Sequence, residues 1–201
     1  MNRSAKKHGR WNDHYSRRAK KERFPARSVY KLQEMQEKYH LIRKGDRILD
    51  LGCYPGSWLL YAAKLTGKRG HVTGIDIQPV TINVPPNVTT CTYDIFSFNS
   101  FSKPIGNEFT VVISDMAPST TGIKTVDSAR SFNLCRTALK IARNVLLPGG
   151  SFACKIFQGE DFKHFSDSVK ESFATCKIFK PKSSRKASKE IYIIAKEKKT
   201  L

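Results

Sequence analysis

The stretch from Ile48 to Trp58 constrains the fold more than any other part of the sequence. An apolar run ends at Asp50, a glycine-rich bend follows, and apolar residues then recur at helical spacing. This order predicts a strand, a tight turn and a helix, although any Gly/Pro turn between a strand and a helix has the same pattern. Gly52 and Gly56 lack a Cβ atom, so the backbone there can approach a ligand closely. In an open α/β sheet, a nucleotide-like ligand binds at the carboxyl end of such a strand.

Asp76 supplies the acid that this kind of site needs. The sequence from His71 to Ile77 predicts a second strand with this carboxylate near its end. Asp76 follows Gly52 at close to the spacing, about 20 residues, at which an acid binds ribose hydroxyls in dinucleotide-binding folds. The G-x-G-x-x-G fingerprint is absent, and no pyrophosphate-binding run replaces it. The pattern therefore favours a ligand that carries adenosine without phosphates.

Two further strands are predicted to end in acids at the same edge. Residues 88–93 could form a third short strand closed by Asp94, and residues 109–114 form a continuously apolar run closed by Asp115. An uninterrupted apolar run is typical of a central parallel strand that is buried on both faces. We expect Asp94 to lie beside the adenine of a ligand held by Asp76, with a turn-forming role as the alternative.

The rest of the chain alternates helical and strand patterns. Helical spacing spans residues 26–39, 58–65 and 125–147, and strand patterns span residues 151–157, 176–179 and 190–195. Strands that alternate with helices predict a doubly wound α/β fold.

Lys155 interrupts the apolar strand 151–157. Burying an ammonium group is costly, so such a lysine either reaches solvent at the strand edge or serves a function. Desolvation favours the neutral amine, which can act as a base. Glu190 begins the last strand, so its carboxylate is expected at the same edge as Lys155 and Asp115.

The formal net charge of +19 is concentrated at the two ends of the chain. The first 31 residues hold eleven Lys or Arg and two acids, and residues 177–199 hold nine and two. Basic ends on a nearly neutral middle indicate a polyanion binder, the alternative being two solvated charge runs. The basic N-terminal arm could follow a phosphate backbone, and Trp11, Tyr15 and Phe24 could stack on bases or pack on the domain. The basic loop 182–189 is a second candidate contact.

Several classes of protein and site are not expected. No apolar stretch approaches the ~20 residues that a membrane span needs, and the N-terminus lacks a signal-peptide core. The five cysteines contain no C-x-x-C pair, and the five histidines have no metal-ligand spacing. The sequence predicts a cytoplasmic protein with neither a membrane anchor nor a metal site. A chain of 201 residues fits one domain.

Five motifs carry a resemblance to a known family: ARSVYKLQEM, DLGCYPGSW, SDMAPSTTG, CKIFQGED and SRKASKEIYIIA. Together they resemble the FtsJ/RrmJ family of ribosomal RNA 2′-O-ribose methyltransferases. The resemblance implies a Rossmann-like, S-adenosyl-L-methionine-dependent methyltransferase fold, in which a seven-stranded, mostly parallel sheet has helices on both faces. It also implies a single methyltransferase domain over residues 1–201, with a basic arm over 1–25 and a catalytic core over 26–196.

The resemblance also implies the site residues. The catalytic set of the family falls on Lys31, Asp115, Lys155 and Glu190. The expected cofactor-binding residues are Gly52, Pro55, Gly56, Ser57, Trp58, Asp76, Asp94 and Asp115. The family usually has Ala-Ala-Pro-Gly-Gly-Trp where this chain has Cys53-Tyr54-Pro55-Gly56-Ser57-Trp58. Tyr54 and Ser57 are expected to narrow the methionine side of the pocket.

The implied reaction is methylation of a ribose 2′-hydroxyl, with Lys155 as the base. Asp115 and Glu190 would hold the lysine amine, and Lys31 would orient the hydroxyl. The implied substrate is a uridine of the 23S ribosomal RNA within the assembled large subunit, and the expected enzyme is a monomer. The alternatives are methylation of transfer RNA and a non-catalytic ribosome-assembly factor. Methylation of a base nitrogen is disfavoured because the turn that follows residue 114 lacks an Asn/Asp-Pro-Pro-aromatic sequence.

Overall fold

The computed structural model describes residues 14–97, 108–119, 121–185 and 187–200. Its helices and strands alternate along most of the chain. In order they are α1 (residues 14–21), α2 (Val29–Tyr39), β1 (Arg47–Leu51), α3 (Ser57–Thr66), β2 (His71–Asp76), β3 (Val88–Thr92), a 3₁₀ turn (Ile95–Ser97), β4 (Phe109–Ser114), α4 (Lys124–Val145), β5 (Leu146–Phe157), α5 (Phe162–Ser172), β6 (Phe173–Phe179) and β7 (Glu190–Lys198).

The strands form one seven-stranded sheet in the order β3-β2-β1-β4-β5-β7-β6. Strands β1 to β5 are parallel, and β7 runs antiparallel to both β5 and β6. The strand order reverses between β1 and β4, which is where open α/β sheets bind their ligands. Asp76 and Asp115 therefore meet at the same edge as the glycine bend. The predicted mostly parallel sheet is confirmed.

Helices pack on both faces of the sheet, as predicted. Successive residues of β1 point to opposite faces, so Ile48 joins the core under α2 and α3, whereas Leu49 joins the core under α4 and α5. Leu32 and Leu59 fill the first core, and Phe165 belongs to the second. Helix α2, which carries Lys31, thus lies on a defined face of the sheet.

The predicted boundaries differ from the structure at six elements. Helix α2 begins at Val29 rather than residue 26, and α4 ends at Val145, after which Pro148 to Gly150 lie within β5. The sequence-based reading assigned no helix to α5, whose spacing of Phe162, Phe165 and Val169 is helical. Strands β6 and β7 are each three residues longer than expected.

The predicted N-terminal arm is described only in part. Trp11 and the rest of residues 1–13 lie outside the described residues, whereas residues 14–21 are helical. Tyr15 packs with Phe24 and Tyr30 against the body of the protein. Among the described helices, none is long and apolar enough to cross a membrane.

Candidate active site

The bend after β1 can form only because glycine occupies two of its positions. Gly52 has φ +77° and Gly56 has φ +109°, both in the left-handed region that side chains disfavour. A Cβ atom on Gly52 would collide with the Met116 side chain, and one on Gly56 would lie 2.6 Å from Cδ1 of Ile82. Gly52 therefore lets the bend pack closely against the segment that follows β4, and Gly56 lets it pack against the loop that follows β2.

An acid-lined cleft of about 440 Å³ opens beside this bend. Four of the predicted cofactor-binding residues line it, namely Gly52, Asp76, Asp94 and Asp115. Their neighbours Tyr54, Ile77 and Phe96 also line it and are exposed, at 47%, 68% and 59% of their surface. Large exposed aromatic and aliphatic side chains next to carboxylates suit a ligand with a flat ring and hydroxyl groups.

The carboxylates of this cleft are held by backbone amides. Asp76 accepts hydrogen bonds from the amides of Tyr54 and Gln78, each at 2.9 Å. Asp94 accepts one from the amide of Phe96, also at 2.9 Å. These bonds fix the carboxylates and leave them next to the open cleft. Asp94 thus has both of the roles weighed from the sequence: it forms a turn and it lines the cleft.

The side chains of Ser57 and Trp58 bond the segment that leads into α2 and do not line the cleft. The Ser57 hydroxyl accepts a hydrogen bond from the Ala26 amide at 2.7 Å and donates one to the Ala26 carbonyl at 3.0 Å. The indole of Trp58 donates to the carbonyl of Ser28 at 2.9 Å. Pro55 and Gly56 are likewise absent from the cleft lining. That these four residues contact the cofactor stays a prediction.

The four predicted catalytic side chains form a chain of alternating charges. Lys155 Nζ lies 3.0 Å from Asp115 Oδ1 and also donates to the Asp115 carbonyl. Lys31 Nζ lies 3.8 Å from the same Asp115 oxygen and 2.9 Å from Glu190 Oε1. All four side chains are between 6% and 15% exposed. Residues from α2, β4, β5 and β7 thus converge on one largely water-excluded cluster.

Glu190 holds Lys31 rather than Lys155. In the antiparallel pairing of β5 with β7, Glu190 lies opposite Phe157 and Tyr192 lies opposite Lys155. Glu190 is therefore one pleat further along the strand than Lys155 and faces Lys31 instead. The structure therefore pairs Glu190 with Lys31, whereas the sequence-based expectation paired it with Lys155. The register of β5 with β7 causes this difference.

Tyr192 is a site residue that the sequence-based reading missed. It is fully buried, and its hydroxyl donates to Asp115 Oδ1 at 2.5 Å. Its ring lies 6.0 Å from the Trp58 ring and 5.9 Å from Lys31 Nζ, measured from the Tyr192 ring centre. The signal in the sequence was a tyrosine two residues after Glu190 in an apolar strand, a spacing that places both side chains on one face.

The charges of the cluster set the protonation of Asp115 and Tyr192. Burial acts to raise the pKa of Asp115, but Lys155 and Lys31, with the hydrogen bonds from Tyr192 and Lys155, outweigh burial and lower it. Burial, together with Asp115 and Glu190, raises the pKa of Tyr192 well above its ordinary value. Asp115 thus accepts hydrogen bonds from Lys155 and from the Tyr192 phenol, and both bonds favour its carboxylate form.

Comparisons with known proteins identify the kind of enzyme to which this site belongs. The sequence profile of the FtsJ-like methyltransferases matches residues 24–198. The chain belongs to the FtsJ-like methyltransferase family. The FtsJ-like match covers all four residues of the charge cluster and the whole acid-lined cleft. It confirms the predicted methyltransferase class and family.

Individual FtsJ-like relatives are similar over nearly their whole length. A protein of Desulforapulum autotrophicum named "Ribosomal RNA large subunit methyltransferase E" is 53% identical, with 98% of each chain covered. One of the same name from Desulfatibacillum aliphaticivorans is 51% identical, over 97% of this chain and 96% of the relative. A solved structure from Plasmodium falciparum, described as a ribosomal RNA methyltransferase, has a TM-score of 0.77 and 28% identity, over 87% of this chain and 98% of that one.

The cleft of this FtsJ-like protein fits S-adenosyl-L-methionine, the predicted cofactor. Gly52 lines the cleft at the bend, and Asp76 and Asp94 are placed to accept hydrogen bonds from ligand hydroxyl and amino groups. The fibrillarin of Aeropyrum pernix, whose crystal structure holds this cofactor, shares the fold with a TM-score of 0.59 and 18% identity, over 77% of this chain and 68% of that one. Among the described residues, no group of three or more His, Cys, Asp or Glu side chains is arranged to hold a metal ion.

Proposed function

We propose that the protein transfers a methyl group from S-adenosyl-L-methionine to a ribose 2′-hydroxyl of large-subunit ribosomal RNA. One observation supports the proposal: positive and negative side chains alternate in a buried cluster beside the acid-lined cleft, in the order Lys155, Asp115, Lys31 and Glu190. The full-length similarity to relatives named for large-subunit ribosomal RNA supports the substrate class. The finer substrate that we propose is a uridine of the 23S ribosomal RNA within the assembled subunit.

The cleft and the charge cluster have separate roles in the proposed reaction. When bound, S-adenosyl-L-methionine supplies a methyl group that its sulfonium already activates. Asp76 would hold the ribose hydroxyls of the cofactor, Asp94 would lie beside its adenine, and Gly52 would let the backbone approach it. The protein is therefore left with two tasks, which are to align the ribose hydroxyl and to remove its proton.

The charge cluster performs these two tasks. Lys155 would first lose its ammonium proton to solvent and would then, as the neutral amine, take the proton from the 2′-oxygen. Asp115 keeps the Lys155 nitrogen at a fixed position, 3.0 Å from its carboxylate. Lys31, held by Glu190, would orient the hydroxyl and stabilise the negative charge that develops on its oxygen. The Tyr192 hydroxyl fixes the Asp115 carboxylate against rotation. Every group is thus positioned by a partner on a different structural element.

The RNA would reach this cluster across two basic segments. The loop after β6 is fastened to α2, because Glu34 accepts hydrogen bonds from the amides of Lys182 and Ser183 at 2.6 and 2.8 Å. Arg27 donates to the carbonyl of Ser183 at 2.8 Å. Helix α1 exposes Arg17, Arg18, Lys20 and Lys21. We propose that residues 1–25 form an RNA-binding arm on a catalytic core of residues 26–196, in a cytoplasmic monomer that needs no metal.

The test uses purified protein, methyl-labelled S-adenosyl-L-methionine and large subunits from cells that lack the enzyme. Digestion of the RNA to nucleosides identifies the methylated atom. The wild type is expected to label a 2′-O-methylnucleoside, and Lys155→Ala is expected to lower the single-turnover rate about 10²–10⁴-fold while leaving cofactor affinity nearly unchanged. Lys140→Ala is the matched control, because it removes an exposed lysine of α4 on the opposite face of the sheet.

Each alternative gives a different result in this assay. Label on a base, or a Lys155→Ala protein that keeps most of its activity, would contradict the proposed mechanism. Label in transfer RNA but not in large subunits would move the substrate to transfer RNA. Cofactor binding without label in any RNA, together with restored ribosome assembly by Lys155→Ala in cells, would favour the assembly-factor function.

A further inference from the structure

Glu34 is an acid among the basic segments that the proposed function assigns to RNA binding. It lies on α2, three residues after Lys31, and residues three apart on a helix share a face. Loop 182–189 holds four Lys or Arg, and α1 exposes four more. A carboxylate repels the phosphates of RNA, so this acid weakens RNA binding unless it does something else for the basic surface.

The Glu34 carboxylate is bonded at both of its oxygens. Oε2 accepts a hydrogen bond from the Lys182 amide at 2.6 Å, and Oε1 accepts one from the Ser183 amide at 2.8 Å. Arg27, which precedes α2, donates to the Ser183 carbonyl at 2.8 Å. Hydrogen bonds that a charged group accepts are roughly twice as strong as those between neutral groups. The start of the loop is therefore joined firmly to α2.

The far end of loop 182–189 is held by the same helix. Glu190, which follows the loop, has its Oε1 atom 2.9 Å from Lys31 Nζ. Glu34 thus holds one end of the loop and Lys31 holds the other, from positions three residues apart on α2. The loop is closed against the helix that contributes Lys31 to the charge cluster.

The loop that these contacts hold has an inner and an outer side. Ser183 and Ser184 are 1% and 3% exposed, and their hydroxyl groups have no hydrogen-bond partner among the described residues. Lys182, Arg185 and Lys189 are exposed. The serines therefore lie inward and the cations lie outward. A loop that was not held would have to be ordered when it binds a ligand, at a cost in conformational entropy.

We propose that Glu34 is a positioning residue for RNA, which holds loop 182–189 against α2 so that the exposed cations of the loop meet phosphates beside the charge cluster. The inference rests on the proposed function, since it takes RNA as the substrate. Glu34 acts through the backbone amides of Lys182 and Ser183 and does not itself touch the RNA. What it contributes is preorganisation, because the loop is ordered before the RNA arrives.

The sign of one mutational effect separates this role from simple electrostatics. Glu34→Ala removes a negative charge, so electrostatics alone predicts tighter binding of RNA. Loss of the two hydrogen bonds to the loop predicts weaker binding. With large subunits from cells that lack the enzyme as the substrate, and with saturating S-adenosyl-L-methionine, Glu34→Ala is expected to raise the KM for subunits about tenfold. The kcat is expected to change less than KM, because the contact of Lys155 with Asp115 does not involve the loop.

Glu37→Ala is the matched control. Glu37 lies three residues further along α2 and is exposed. This variant removes the same charge and keeps both hydrogen bonds of Glu34, so its KM is expected to stay the same or to fall. Glu34→Gln also removes the charge, but its amide oxygen can still accept one hydrogen bond. Its KM is expected to lie between those of the wild type and Glu34→Ala.

Two further measurements report on the loop itself. Trypsin cleaves after Lys and Arg, so native Glu34→Ala is expected to be cut faster than the wild type within residues 182–189. The dependence of KM on salt is expected to be shallower for Glu34→Ala, because each phosphate contact that is lost lowers the slope by about 0.7–0.9. An unchanged affinity for S-adenosyl-L-methionine, measured by titration calorimetry, is expected because the variant keeps its fold.

Three results would overturn the inference. They are an unchanged or lower KM for Glu34→Ala, an equal rise in KM for Glu37→Ala, and an unchanged rate of tryptic cleavage within the loop. If the wild type methylates no RNA of the large subunit, the proposed function fails together with this inference. Methylation by the wild type, with the same KM for Glu34→Ala, overturns the role of Glu34 alone.

Discussion

Asp50 and Asp115 lie on one face of the sheet, at the carboxyl ends of the neighbouring strands β1 and β4. Their pKa values are nevertheless shifted in opposite directions. Asp115 accepts hydrogen bonds from Lys155 and Tyr192, and its pKa is lowered in spite of burial. Asp50 has no such partner among the described residues, and burial raises its pKa. Burial alone therefore does not determine the charge of a carboxyl group in this site.

The difference between the two pKa shifts comes from the strands that flank β1 and β4. Strand β4 is followed in the sheet by β5 and β7, which bring Lys155 and Tyr192 to its end. Strand β1 lies between β2 and β4, and its neighbours opposite Asp50 are Gly74 and Ile113. The same type of residue thus has a lowered pKa at the end of one strand and a raised pKa on the next.

Removing the charge of Asp115 is expected to have the largest effect on stability and activity. Asp115→Asn would leave the Lys155 ammonium buried without its anion, which is expected to lower the free energy of unfolding by about 3–5 kcal/mol and to abolish methyl transfer. Urea denaturation measures the loss. Asp167→Asn is the matched control, since it removes an exposed ion pair with Lys170 and is expected to change stability little. Equal stability of the two variants would contradict the importance of the buried pair.

Tyr192→Phe tests a smaller part of the same network. The variant keeps the aromatic ring beside Trp58 and loses only the hydroxyl that donates to Asp115. A hydrogen bond to a charged group contributes about 1.5–3 kcal/mol, so a loss of that size in the free energy of unfolding is expected. Because this bond helps to lower the pKa of Asp115, the acid limb of the stability curve should move to higher pH. An unchanged acid limb would show that the lysines alone determine the protonation of Asp115.

The edge of the sheet and its acids were predictable because parallel strands share a carboxyl end. Strand patterns in the sequence located Asp76, Asp94 and Asp115, and the chain order then placed them together. A buried lysine in a strand was visible as an exception to the apolar pattern. The motifs of the FtsJ/RrmJ family added Lys31, which no local pattern singles out.

Contacts that depend on register and side-chain direction were not predictable. The pairing of Glu190 with Lys31 follows from how β7 is aligned with β5, a relation between segments distant in sequence. Ser57 and Trp58 belong to the glycine bend, but only the packing of α2 shows that their side chains bond Ala26 and Ser28. The raised pKa of Asp50 reflects its burial without a hydrogen-bond partner among the described residues, for which a sequence contains no signal.

The pH dependence of stability tests the raised pKa of Asp50 directly. A raised pKa means that Asp50 ionises in the unfolded chain before it ionises in the folded one, so the wild type loses stability as pH rises above the unfolded value of about 3.9. Asp50→Asn removes this loss, so its gain in the free energy of unfolding over the wild type is expected to grow as pH rises above about 3.9 and to vanish below about pH 3. Urea denaturation of the free protein at several pH values measures the difference. A gain that is independent of pH would mean that shape, rather than the ionisation of Asp50, separates it from Asp115.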